Sequence, residues 1–556
     1  MNNWLTCIIG SGLALAASVA AAAPASDPEP GAFGRVDFPV SCGEAEQRDF
    51  NLAVAVLHSF WFDEARRRFE AIAEQAPDCA MAQWGIAMSL WQPLWRPPAG
   101  PALEQGLAAV QRARRRVPAT AQRERAWIEA IGAFYDRKDR PHGERVKAYA
   151  RAMRRLYATW AEDVEAGAFY GLALQAAAPR DDRSYAQQRR AAEMLGELFE
   201  RHPDHPGIAH YLIHALDYPA LAEQALPAAR RYARIAPAVS HAQHMPSHIF
   251  SQLGMWEESL ASNLASAAAA RQHDSLFDLA HALEWQAYAA LQTCRDGVAR
   301  QTLAELASYQ GQSDNFAVEY SIQSIAARNV LERQQWADAA VLTVPQAAFA
   351  YAESTGWFAR AIGASRAGQV DDARAAVARL KALAASTDKA SARWRADVRV
   401  QYLAASAWLL QAQGDSARAV ERIAEAGALE ERTYTPGPGP APVIPARELE
   451  GDLLLELGEP EAALKAYQAA LEQFAGRLNA FAGASRAARA SGDAAQADAY
   501  AEAAREHCAR GREPRPALAG LMHAVPVAPA AASSTAVTDE DVAAGAGSRA
   551  GRPAVD

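Results

Sequence analysis

The histidines are the residues of this chain whose spacing could do chemistry. Seven of the thirteen fall between residues 202 and 248, in ERHPDHPGIAHYLIHALDYP and PAVSHAQHMPSHIFSQLG. An even spread would put about one there. His210, His214 and Asp217 stand at i, i+4 and i+7, which sets all three on one face of a helix. His241, His244 and His248 follow at i, i+3 and i+7, with Pro246 setting His244 at the edge of the helix or just before it. A third face carries Asp274, Asp278 and His281, with Glu284 three residues on. Imidazole nitrogens joined by one carboxylate form the ligand set of zinc, iron(II) or copper, and an i, i+4 pair lets one rigid helix supply two ligands. With an open coordination position such a site could activate water or dioxygen. The expected ligands are His210, His214, Asp217, His241, His244, His248 and His281. The competing reading is that these imidazoles satisfy buried backbone carbonyls or hold an anionic peptide carboxylate.

Three such faces converge only if the helices over residues 205–217, 246–254 and 274–288 are neighbours, and a repeat architecture supplies that arrangement. Gly458 and Gly492, Ala463 and Ala497, and Ala339 and Ala373 are each 34 residues apart, the tetratricopeptide period. The phase then slips from Ala373 to Ala419 and on to Ala463, and the second slip contains TYTPGPGPAPVIP, residues 433–445. That Pro/Gly segment cannot continue a helix and is expected to be an exposed loop or a hinge between two stacks. Small residues recur because two helices of a hairpin cross closely and a bulky side chain would part them. In the first unit Ala65, Phe69 and Ile72 mark one face of the second helix, and Pro77 ends the unit. Almost no segment alternates with period two, so strands are not expected. The fold class is all-α: a tetratricopeptide-like helical-repeat solenoid of stacked antiparallel hairpins, whose first helices line a concave groove.

Composition and the termini set the compartment. The run from Trp4 to Ala23, followed by Pro and polar residues, reads as a signal peptide over residues 1–25, with cleavage after Ala22 or Ala25. An uncleaved N-terminal anchor is the alternative, since the run nears the ~20 residues needed to span a bilayer. No later stretch is long and apolar enough to span, so the chain is expected to be periplasmic or secreted. In an oxidising compartment Cys42 and Cys79 could staple the first hairpin, adding about 3 to 4 kcal/mol by loop-closure entropy; the alternative is two small buried residues. The formal charge of −9 gives no reason to expect nucleic acid.

The remaining layout is a Pro-rich leader over 26–41, N-terminal repeats over 42–200, His-rich repeats over 201–290 and regular repeats over 291–432. After the Pro/Gly loop come two further units over 446–510 and, from 511 to 556, a tail rich in Ala, Gly, Pro and Ser that is expected to be disordered. His58, Phe60, Trp61 and Phe62, then Trp84, Trp91 and Trp95, make the N-terminal hairpins aromatic. They read as core and capping residues, with His58, Trp61, Trp84 and Trp91 as a weaker candidate ligand groove.

The stretches CGEAEQRDFNLAVAVLHSFWFDEARRRFE, PDCAMAQWGIAMSLWQPLW, HPGIAHYLIHALDYP and HAQHMPSHIFSQLGMWEESLASN span roughly residues 42–290. In them the chain resembles a group of bacterial tetratricopeptide-repeat proteins carrying HxxxH and HxxHMPxH motifs. Generic repeat packing requires neither motif. Gln243 departs from the pattern in a slot expected to be apolar and leaves the candidate ligands untouched. The resemblance implies the fold and a shared histidine-lined site, and implies no substrate or reaction. The leading expectation is an exported scaffold whose groove receives a protein, peptide or small ligand, an analogy from fold alone, with a divalent-metal site in the central repeats. A zinc, iron or copper enzyme built on His210, His214, His244 and His248 with Asp217 or His281 is the alternative. A purely structural solenoid is the third reading.

Overall fold

Alanines at the repeat spacing mark where helices cross: Ala339, Ala373, Ala419, Ala463 and Ala497 are all fully buried. At Gly85 the crossing leaves no room even for a methyl group, which would come within 2.2 Å of the Phe69 ring. The structure, a computed structural model, describes residues 31–521 apart from 95–96, 180–181, 313–314, 387–390, 438 and 512. Among the described residues there is no strand, and successive helices pack as antiparallel pairs, Glu44–His58 on Phe62–Gln75 through Leu478–Ala490 on Ala494–His507. The first helices of successive units, Leu276–Gln292, Phe316–Leu331, Ala350–Arg366 and Ala392–Ala412, stand side by side. This is an all-α, tetratricopeptide-like solenoid. No described helix is long and apolar enough to cross a membrane. The expected signal peptide, residues 1–25, lies outside the described residues.

The superhelix closes on itself. Trp256 Nε1 donates to the Gly476 carbonyl at 2.6 Å, Gln292 Oε1 accepts from Leu478 N at 2.9 Å, and Arg477 Nη1 donates to the Tyr288 hydroxyl at 3.1 Å. Gly254 and Gly476 meet backbone to backbone at the seam, with φ of +70° and +68°; a Cβ on Gly476 would lie 2.7 Å from Gly254 Cα. Both the left-handed backbone and the close approach require glycine there. A disulfide joins Cys294 to Cys508 across 214 residues, a constraint worth about 5 kcal/mol by loop-closure entropy. A second disulfide joins Cys42 to Cys79.

Two terminal and loop expectations are corrected. The Pro/Gly segment is not an exposed hinge. Helix Ser416–Thr433 ends before it, and the chain then runs inside the closed superhelix, with Ala441, Val443 and Ile444 buried. Prolines bring few N–H groups that need partners, and the carbonyls are met by arginines. Arg328 donates to Ala441 and to Pro442 (3.0 Å), and Arg183 donates to Tyr434 (2.7 Å) and Arg432 (2.8 Å). The tail is packed as far as Leu521: Arg515 pairs with Asp296 and donates to the carbonyls of Leu291 (2.7 Å) and Glu332 (2.8 Å). The leader is anchored by Phe38, which is fully buried against Trp127, Trp84 and Phe50 at 4.8, 5.2 and 5.4 Å between ring centroids.

Glu430, beside the crossing segment, makes a pH prediction. Its Oε2 accepts from Ala446 N at 2.9 Å, and burial pushes its pKa up from 4.5 to about 8, the Ala446 N–H opposing. The folded form therefore holds a proton that the unfolded chain releases, so its stability is complete below about 4.5 and falls as pH rises to about 8. Glu430→Gln keeps the acceptor and removes the charge. It should flatten that slope and stabilise the protein by about 4 kcal/mol at pH 8, read by denaturant titration; an unchanged slope contradicts the assignment.

Candidate metal centre

Local structure explains which histidines meet. His205 caps the helix Pro206–Leu216, its Nδ1 accepting from Ile208 N at 3.2 Å, and Pro206 takes the first turn. His210 and His214 then share a face. The short helix Ser240–His244 is followed by Pro246–Gln252, and Met245 between them is itself α-helical, φ −54° and ψ −35°. The turn is thus nearly continuous and His244 and His248 stay on one side. His281 comes from Leu276–Gln292.

Six of these imidazoles form two sets of three. In each set, His210, His214 and His241, then His244, His248 and His281, one ring nitrogen per residue lies within 4.8 Å of the others. Two donors sharing one ion at about 2.0–2.1 Å stand at most ~4.2 Å apart, so an ion would draw the widest pairs slightly inward. The sets abut: His241 and His244 have ring centroids 6.3 Å apart, and His214 and His248 6.5 Å. His210, His214, His244 and His248 are buried, while His241 and His281 are half-buried.

The second set is the more revealing. Asn263 Nδ2 donates to the Ser259 carbonyl at 2.8 Å, which turns Asn263 Oδ1 toward His244, where it accepts from Nδ1–H at 2.7 Å. His248 Nδ1–H donates to Asp217 Oδ2 at 2.7 Å. Both rings therefore carry their proton on Nδ1, and their bare Nε2 atoms face each other at 2.9 Å. Two lone pairs at that distance repel unless a cation lies between them. Burial and the neighbouring His281 and His248 hold the His244 pKa well below 6.5, so His244 does not supply a proton to the gap. In the first set His210 Nδ1–H donates to the His58 carbonyl at 2.6 Å, leaving its Nε2 bare and 3.0 Å from His241 Nε2.

Burial lowers His210 and His281 to about 3, and His214 and His241 well below 6.5. These four imidazoles are neutral at pH 7, the form that binds a metal without first losing a proton. Aromatic rings enclose them. Trp285 lies 4.3 Å from His248 and 5.2 Å from His244. Phe60 lies 4.4, 5.5 and 5.8 Å from His210, His214 and His241. Phe60 does so from a left-handed backbone, φ +57°, a strain of about 1 kcal/mol or more for a bulky residue.

A third group, His58, Glu165 and His205, is also compact enough for a metal, but its hydrogen bonds are already complete. Glu165 accepts from Nε2–H of His58 at 2.7 Å and of His205 at 2.8 Å, and the Tyr211 hydroxyl meets His58 Nδ1 at 2.9 Å. Burial alone would raise the Glu165 pKa, yet His205 and His58 outweigh it and hold the carboxylate well below its usual range. Through the His58 carbonyl this network orients His210.

Several expected site residues fall elsewhere. Asp217 follows the end of its helix at Leu216 and bonds His248 Nδ1 from outside the set of three, so it orients that ring. Asp274, at φ +51°, precedes the helix that bears His281, and Glu284 turns to Ser321 at 3.2 Å. The expected groove of His58, Trp61, Trp84 and Trp91 does not form: Trp84 and Trp91 are core residues, and Trp61 packs on His273 at 4.4 Å. Asn263, Glu165 and Trp285 were not expected; nothing in the spacing of Asn263 and Glu165 ties them to the histidines, whereas Trp285 stands four residues after His281 on one helix.

No protein-family model and no curated protein matches the chain. Among solved structures it is similar to the human IFIT1 dimer with m7Gppp-AAAA, at 11% identity and TM-score 0.38, over 77% of this chain and 90% of that one. It is similar to Naa15/Naa10 bound to HypK-THB, at 13% identity and TM-score 0.23, over 83% and 75%. The P58(IPK) TPR domain is a third likeness, at 11% identity and TM-score 0.21, over 81% and 98%. Likeness at this level says nothing of a ligand or a role. By its own helix pairs, the chain is a tetratricopeptide-like repeat protein with two sets of three histidines at its centre.

Proposed function

We propose that this is a metal-binding helical-repeat protein whose central units hold two neighbouring ions, one on His210, His214 and His241 and one on His244, His248 and His281. The observation that carries the reading is the pair of Nε2 atoms of His244 and His248 facing each other at 2.9 Å while each ring's Nδ1 is engaged by Asn263 or Asp217. Three protein donors per ion leave a coordination position open, the pattern of catalytic centres more than of structural ones. An all-imidazole donor set suits zinc, copper or iron. Asp217, Asn263 and the His58 carbonyl fix the rings through Nδ1.

A partner-binding groove is less favoured next to this centre, because the chain's own residues 439–445 fill the space there. Export accords with the two disulfides, Cys42–Cys79 and Cys294–Cys508, which belong to an oxidising compartment. Elemental mass spectrometry of the untagged chain should find about two metal equivalents, and adding metal to the stripped protein should raise its Tm. A metal-free chain that shows no shift with zinc, copper or iron would overturn the proposal.

A further inference from the structure

We infer that the paired centre is a dicopper site and that its ligand is dioxygen, bound between the two ions; this rests on the two-ion reading above. Charge favours copper. All six donors are imidazoles, which ligate a metal as neutral groups, and they are buried or half-buried. Two zinc ions would place four positive charges in that setting, which desolvation penalises steeply. Two copper(I) ions place only two. When dioxygen binds, each copper(I) gives up one electron and dioxygen takes both to become peroxide. The site then holds two copper(II) ions and one peroxide dianion, and its net charge is still two positive. No proton, further reductant or bond cleavage enters the step.

The second argument is proximity. One diatomic can span two ions only when they are near neighbours. Here His241 and His244 lie three residues apart on one short helix, and the His214 and His248 ring centroids are 6.5 Å apart across the boundary of the sets. A cavity of about 10 Å³, room for one water-sized molecule, lies on the His248 side of the second set, walled by Trp285, Tyr434, Ala441 and Phe474. Asp217, the carboxylate bonded to the second set, is engaged by His248 at 2.7 Å and Gln252 at 3.3 Å. It is therefore not placed as the general base that hydrolysis would need, whereas dioxygen binding needs none.

The test uses the full chain stripped of metal and titrated with a copper(I) acetonitrile complex under nitrogen, then exposed to dioxygen. The expected result is two copper(I) per chain and one dioxygen taken up per copper pair. A peroxide-to-copper charge-transfer band should appear in the near ultraviolet, with little copper(II) paramagnetic resonance signal because the two spins couple. His241→Ala and, separately, His281→Ala should each keep native circular dichroism, retain one tight copper and lose the band. Two coppers that take up no dioxygen, or that give two uncoupled copper(II) spins, overturn this inference and leave the metal-binding reading standing. Tight zinc binding without copper(I) binding does the same. A chain that binds neither metal overturns both.

Discussion

Replacing His244 and His248 together by alanine should reduce the bound metal from two ions to one, with the remaining ion on His210, His214 and His241. The substitution removes two of three donors from the second set and, with them, the facing Nε2 atoms. One imidazole cannot hold a divalent ion tightly, so the loss should be near complete and not graded. Asp217→Asn is the graded comparison. It leaves all three donors in place but weakens the acceptor that fixes His248, and should cost about 10- to 100-fold in affinity at the second site. If the histidines only satisfied one another in a metal-free core, neither variant would change metal content. Elemental analysis and metal titration of the two variants beside the parent chain decide this.

Arg477→Met should destabilise the fold by about 3 to 5 kcal/mol in denaturant titration, by leaving buried carboxylates without their cation. Arg477 is fully buried, with Nε on Glu448 at 2.6 Å, Nη2 on Glu332 at 2.9 Å and Nη1 on the Tyr288 hydroxyl at 3.1 Å. It is the polar pin of the seam that closes the superhelix over residues 439–445. Burial already pushes the Glu448 pKa up to about 7 against the pull of Arg477. Without the guanidinium the Glu448 carboxyl rises further, so the variant should lose stability as pH climbs through neutral and recover part of it in mild acid. A change below about 1 kcal/mol would mean the seam does not depend on this group.

How much of the site was legible depended on whether a residue's position follows from local geometry. His210 and His214, four apart on one helix, could be assigned to a shared face from spacing alone, and so could His244 and His248 once Met245 is seen to keep the turn going. Asp217 could not, because helical spacing presumes a helix that in fact ends at Leu216. Asn263 and Glu165 reach the histidines from other helices, and only the stacking order brings them there; the same stacking sets Trp285, four residues after His281, against His248. The Pro/Gly segment was misread for a physical reason. Its composition forbids a helix, which was read correctly, but composition does not say whether arginines such as Arg328 and Arg183 will meet its carbonyls and let it be buried. The Cys294–Cys508 link was equally illegible, since residues 214 apart meet only when the superhelix closes.

The most direct test of the central claim is anomalous X-ray diffraction from crystals of the metal-loaded chain, recorded on both sides of the metal's absorption edge. The account predicts two neighbouring anomalous peaks, each about 2.0–2.2 Å from nitrogens of one histidine set: His210, His214 and His241 for one, His244, His248 and His281 for the other. A metal bound elsewhere, or no peak between the Nε2 atoms of His244 and His248, would contradict it.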